Sequence, residues 1–224
     1  MMDQPCSYEE LRACLHDIAR VNRLTFASRP TISWLEALVR IRPLTAAPLR
    51  IADVGCGNGD MLRQIDAWAA KRGIAVALIG IDLNPDAIRA AREATPPAQH
   101  IEFIVGDALS DAVPGGLDVI LSSLLTHHLT NQQIVQFLKW MERTAQQGWF
   151  INDLHRQKVP YHLFRLMARF TNWHRFVKND GAVSIRRSFI LEDWQHLCAT
   201  AELAVSSVAI KEYRPARLCV GRVK

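Results

Sequence analysis

Between residues 49 and 154, short apolar runs alternate with stretches whose apolar residues recur at three- and four-residue spacing. The runs Leu49 to Val54, Ala75 to Ile81, Ile101 to Val105, Leu117 to Ser122 and Trp149 to Ile151 read as strands. Met61 to Arg72, Pro85 to Ala94 and Asn131 to Ala145 read as the helices between them. Asn84 precedes Pro85, a residue favoured at the first helical position, and Thr130-Asn131-Gln132-Gln133 fits a capping box. Strands alternating with helices in this way build a parallel sheet with helices on both faces. The core therefore reads as doubly wound α/β.

Before this core, Ser7-Tyr8-Glu9-Glu10 opens a helix carrying Leu11, Leu15 and Ile18, and a second helix spans about Thr31 to Ile41, stopped by Pro43. Behind it comes an aromatic and basic segment, then a helix from Glu192 to Ala201. Val205 to Tyr213 and Leu218 to Val223 follow as strands about Arg214-Pro215-Ala216, which makes an antiparallel C-terminal hairpin. The expected layout is one domain: a helical cap at 1–48, a ligand-binding core at 49–154, a helical lid insertion at 155–190, and a C-terminal helix and hairpin at 191–224.

Composition adds exclusions. At 224 residues, 49% hydrophobic and 22% charged, the chain is long and apolar enough for a packed core rather than a disordered one. The first residues do not resemble a secretory leader, and no apolar run reaches the roughly 18 residues of a membrane span, so a cytoplasmic location is expected. The five cysteines are scattered and read as reduced thiols. Much of the +5 net charge lies between His155 and Arg187, where eight Lys or Arg face one acid, Asp180.

The strongest chemical signal is Asp53-Val54-Gly55-Cys56-Gly57-Asn58-Gly59-Asp60, running from the first strand into a helix. Three alternate glycines let a ligand approach the backbone. A dinucleotide fingerprint wants a small residue where Asp60 stands, and a carboxylate there repels a pyrophosphate. S-adenosylmethionine has no phosphate, and its sulfonium and amino groups are cationic, so Asp53 and Asp60 favour it. Asp82, ending the second strand, suits a ribose diol. Asp107, followed by Ala108, suits the adenine amino group, with an Asx-turn as the alternative role for that acid.

In these motifs the chain resembles the class I S-adenosylmethionine-dependent methyltransferases, over about residues 49 to 155. The resemblance implies a Rossmann-like fold, S-adenosylmethionine as cofactor with S-adenosylhomocysteine as product, and cofactor contacts from Asp53, Gly55, Cys56, Gly57, Gly59, Asp82, Leu83, Asp107, Ala108 and Ser123. Leu121 to Leu129 and Ile151 to Arg156 further resemble bacterial small-molecule methyltransferases of the quinone-biosynthesis and phenolic-lipid type.

The acceptor should bind beyond the carboxyl ends of the fourth and fifth strands. His127 and His128 are the first candidates for a general base, with His155 and Asp153 behind them. At the same place a His pair can simply fill a strand-to-helix corner. The expected reaction is O-methylation of a hydrophobic phenol or enol. C-methylation of a quinone precursor is the alternative within the class, and a non-catalytic cofactor-binding or RNA-binding protein the alternative outside it. Tyr161 to Val177 carries large apolar residues on one helical face and Arg165, Arg169 and Arg175 on another, which suggests a lid at 159–177 that can also touch a membrane surface. Nucleic acid ranks lower, because no recognised RNA-binding module accompanies the segment. No acid cluster with metal-ligand spacing is evident.

Overall fold

The computed structural model describes residues 6–41, 47–110, 116–159, 161, 162, 166, 181 and 183–224. Five strands, β1 (Leu49–Val54), β2 (Val76–Asp82), β3 (Ile101–Val105), β4 (Val119–Ser123) and β5 (Gly148–Leu154), run parallel. The hairpin of β6 (Ala209–Tyr213) and β7 (Arg217–Val223) adds antiparallel to β5, giving the order β3-β2-β1-β4-β5-β7-β6. Strand order reverses between β1 and β4, where an open α/β sheet leaves a crevice at its carboxyl edge.

The two faces follow from side-chain alternation. On one, Ile51 and Leu78 are buried with Leu35 and Leu38 of α2 (Arg29–Ile41), Leu62 and Ile65 of α3 (Asp60–Arg72), and Ile88 of α4 (Pro85–Ala94). On the other, Ala52, Ile120 and Ile151 pack with Ile134, Leu138 and Met141 of α5 (Asn131–Thr144) and Trp194 and Leu197 of α6 (Leu191–Thr200). Each fully buried aliphatic side chain contributes about 1.5–3 kcal/mol. The first helix, α1 (Tyr8–Leu24), lies outside these layers and packs Leu11 and Leu15 on Ala87 and Ala90 of α4.

The expected caps form. The Ser7 and Glu10 side chains exchange hydrogen bonds with each other's backbone N–H at 3.3 Å, and Thr130 and Gln133 do the same at 2.9 and 3.3 Å. Asn84 Oδ1 accepts from Asp86 N at 2.9 Å, ahead of a helix begun by Pro85. Several boundaries shift by one or two residues, and two shift by three or more for local reasons. Residues 205–207 form a 3-10 turn instead of strand, with the Ser207 hydroxyl returned to Ala204 O at 2.7 Å, so β6 starts at Ala209. β5 continues past Ile151 to Leu154, because the buried Asn152 is satisfied by Ala27 O at 2.8 Å and Thr31 Oγ1 at 3.0 Å. Those two bonds tie the α1–α2 connection over the carboxyl edge of the sheet.

The anticipated lid at 159–177 lies outside the described residues, apart from Val159, Tyr161, His162 and Leu166. Among the described residues, no helix is long and apolar enough to cross a membrane.

Candidate active site

The loop leaving β1 holds Gly55, Gly57 and Gly59 at φ of 73°, 53° and 74°, in the left-handed region that side chains disfavour. A Cβ at Gly59 would also stand 2.8 Å from the Phe103 ring. The loop is pinned from the end of β2: Gly57 N donates to Asp82 Oδ2 and Asn84 N to Asp82 Oδ1, both at 2.9 Å. Each carboxylate oxygen keeps a further acceptor site, so Asp82 can take a diol without releasing the loop.

Asp53, at the end of β1, is only 2% exposed, and its Oδ1 has no hydrogen-bond partner among the described residues. Burial first, then the neighbouring Asp82 carboxylate, push its carboxyl up to about 8. Ser123 Oγ, at the end of β4, is likewise buried and unpartnered. Both residues line one cavity with Gly55, Gly57, Asp60 and Asp82. A buried acid and hydroxyl without partners, beside a glycine turn and an acid suited to a diol, fit the ammonium, methionine chain and ribose of S-adenosylmethionine.

A pH dependence follows. At neutral pH the free protein holds Asp53 largely protonated, whereas a ligand ammonium beside it favours the carboxylate. Binding therefore releases a proton, and affinity for S-adenosylhomocysteine should rise toward pH 8 by at most about tenfold per unit. Calorimetry at pH 7 in buffers of unequal ionisation enthalpy should report release of about one proton, and none in Asp53→Asn. Heats that do not depend on the buffer would remove the ammonium from Asp53.

Four of the cofactor candidates, Gly59, Leu83, Asp107 and Ala108, are not part of this cavity wall. Asp107 Oδ1 accepts from Leu109 N at 2.9 Å, the Asx-turn arrangement, and Ala108 is buried. Leu83 is 71% exposed. Cys56 lines the cavity, and burial pushes its thiol well above the usual range, which keeps it an unreactive apolar contact.

The far end of the cavity is built by β4 and β5. Their pairing sets Ser123 against Asn152, which brings the 3-10 turn Thr126–His128 beside Asp153. His127 Nδ1 lies 2.7 Å from Asp153 Oδ1, with both side chains buried. Asp153 also accepts from His127 N at 3.1 Å, from Leu154 N at 2.7 Å and from the Thr126 hydroxyl. Burial alone raises the Asp153 carboxyl, but His127, Thr126 and Leu154 N–H outweigh it and bring the group down to about 2. An ionised Asp153 accepts from Nδ1–H, which leaves Nε2 as the basic nitrogen of a ring on the cavity wall.

A depressed carboxylate stabilises the fold above its unfolded value, and that contribution is lost as pH falls through the folded one. Asp153 should thus contribute about 2 kcal/mol that disappears between about pH 4 and pH 2. Denaturant titrations at pH 5 and pH 2.5 should show the loss in the wild type and not in Asp153→Asn. An equal loss in both would assign acid sensitivity to other groups.

The His128 ring lies against His127 at a centroid separation of 4.2 Å, tilted by 39°, and His155 Nδ1 stands 3.8 Å from Glu212 Oε2. All three candidate histidines line the cavity, and His127 has the buried Asp153 carboxylate at hydrogen-bond distance. Asp153, ranked behind the histidines in the sequence, is the group that orients the leading one. Two further contributors carried no sequence signal. α1 forms a long wall of the cavity through Leu15, Ile18 and Asn22, and Arg217, at the start of β7, closes its far end. Among the described residues, no cluster of three His, Cys, Asp or Glu is arranged to hold a metal.

Comparison with known proteins agrees with this geometry. Residues 51–148 match the family model described as a methyltransferase domain. The chain is 28% identical over 130 residues to ribosomal RNA large subunit methyltransferase G of Streptomyces griseus, covering 54% of this chain and 32% of the relative. It is 30% identical over 160 residues to trans-aconitate 2-methyltransferase of Streptomyces coelicolor, covering 67% and 51%. The chain thus spans about half or less of the length of these relatives. The plantazolicin methyltransferase BpumL, solved with S-adenosylhomocysteine, shares the fold at a TM-score of 0.68 and 16% identity, covering 96% of each chain. Over residues 51–148 the chain is thus similar to methyltransferase domains, and it shares the fold of a solved methyltransferase.

Proposed function

We propose that this protein is a methyltransferase that uses S-adenosylmethionine to methylate a hydroxyl oxygen of a hydrophobic phenol or enol, with His127 as general base held by Asp153. The observation that carries this reading is the buried His127–Asp153 pair on the wall of the cavity that also holds Asp53 and Asp82. The cavity measures about 1080 Å³, above the usual range for one drug-sized ligand, and has room for cofactor and acceptor together. Leu124, Leu125, Leu154 and Ile185 supply an apolar surface around the acceptor end, which suits the faces of an aromatic or enolic ring.

S-adenosylmethionine, when bound, supplies a sulfonium-activated methyl group. The chain supplies placement and proton removal. Asp53, Asp82 and the glycine loop hold the donor at one end, and the apolar wall presents the hydroxyl at the other, so the two meet as an intramolecular pair. His127 Nε2 takes the hydroxyl proton as the oxygen attacks, and the Asp153 carboxylate stabilises the imidazolium.

The test is the fate of a tritiated methyl group. Purified protein given labelled donor and a panel of hydrophobic phenols should place label in an organic-extractable ether. Label recovered in an RNA fraction, or on ring carbon, would overturn the reading.

A further inference from the structure

Arg217 begins β7 opposite Leu154, is 6% exposed, and forms part of the acceptor end of the cavity. Its guanidinium carries five N–H donors in a planar fork. Nη2 donates to Asn22 Oδ1 of α1 at 3.1 Å, and among the described residues Arg217 makes no other side-chain hydrogen bond and no ion pair within 4.0 Å. Asp153 is close enough to act on it electrostatically, but both Asp153 oxygens are taken up by Thr126, His127 and Leu154. Arg217 thus has a neighbouring negative charge but keeps guanidinium N–H groups without a hydrogen-bond partner among the described residues, and a guanidinium is the side chain best matched to a carboxylate in two parallel hydrogen bonds.

The other charged groups at this end do not supply that partner. Glu212 stands by His155 at 3.8 Å with its side chain 60% exposed, and Arg214 is an exposed cation on the hairpin turn. The guanidinium donors left over on the cavity wall can therefore be met by an acceptor entering the cavity, and a carboxylate matches their fork.

We propose that Arg217 determines acceptor specificity by binding a carboxylate, which makes the substrate a hydroxylated aromatic or enolic acid instead of a neutral phenol. This rests on reading the His127 end as the acceptor site. His127 takes the proton of the hydroxyl that is methylated, and Arg217 holds the carboxylate, which is not. One ring is then fixed at two points, with the reacting oxygen directed by the second.

The test uses the full chain saturated with S-adenosylhomocysteine and three probes: 3-hydroxybenzoate, its methyl ester and 3-methylphenol. Dissociation constants from ligand-observed NMR titration should favour the acid over both neutral probes by about tenfold or more in the wild type. Arg217→Met should abolish the preference, and Arg217→Lys should keep part of it. S-adenosylhomocysteine affinity should stay within about twofold in both variants, which confirms a folded cofactor end and separates this result from failure of the cofactor assignment. No preference for the acid in the wild type, or a preference that survives in Arg217→Met, overturns the proposal and leaves Arg217 as a tie to α1. A base-labile methyl ester as the product of 3-hydroxybenzoate also overturns it, because the carboxylate would then be the group methylated. An acid preference lost in Arg217→Met, without methyl transfer to any probe, supports the anion site and counts against hydroxyl methylation instead.

Discussion

Replacing Asp82 with alanine is expected to weaken S-adenosylmethionine binding by about 2–5 kcal/mol, the loss of two charge-assisted hydrogen bonds whose partners remain in place. Asp82 serves the site twice. Its oxygens hold Gly57 N and Asn84 N, which fixes the loop between β1 and α3 against the start of α4, and their remaining lone pairs face the cavity for a ribose diol. Asp82→Asn keeps one carbonyl acceptor and should lose less than the alanine variant, which separates charge from shape. Calorimetric titration with S-adenosylhomocysteine reads both. A loss below about twofold in Asp82→Ala would reduce Asp82 to a loop staple.

His127→Asn should lower kcat by about 10²–10⁴-fold with little change in cofactor affinity, the usual contribution of a positioned general base. The pH profile distinguishes a base from a space-filling ring. Without Nε2, the reaction depends on the acceptor ionising itself, so the variant's rate should climb about tenfold per unit toward the phenol value near 10. The wild type should be much flatter there. Asp153→Asn should move in the same direction, since the carboxylate that fixes the imidazole tautomer is gone. His155→Asn should change the rate little, because its nearest acid is the exposed Glu212. A His127→Asn enzyme that parallels the wild type at every pH would leave positioning as the whole of the chain's contribution.

Much of this architecture is legible in the sequence because hydrophobic period and capping agree along the core. β1, β3 and α4 fall on their expected residues, and the capping boxes at Ser7 and Thr130 form as read. The differences lie where a side chain, and not periodicity, decides the backbone. Asn152 and Asp153 interrupt an apolar run, yet they extend β5 because tertiary partners satisfy them in the interior. The glycine loop and Asp82 are visible because their spacing is local and fixed by the turn. The His127–Asp153 pair is not, since 26 residues separate its members and only the parallel pairing of β4 with β5 brings them together. Arg217 is less visible still. It meets Asn22 across 195 residues, and a single arginine at a hairpin has no pattern of its own.

The most direct measurement is a crystal structure of the protein with S-adenosylhomocysteine and the phenol that accepts label. The expected electron density places the ligand ammonium at Asp53 and the ribose at Asp82. It places the acceptor hydroxyl about 3 Å from His127 Nε2, on the side of the ligand sulfur. A phenol bound away from the His127–Asp153 pair, or a sulfur turned from that end of the cavity, would contradict hydroxyl methylation at this site.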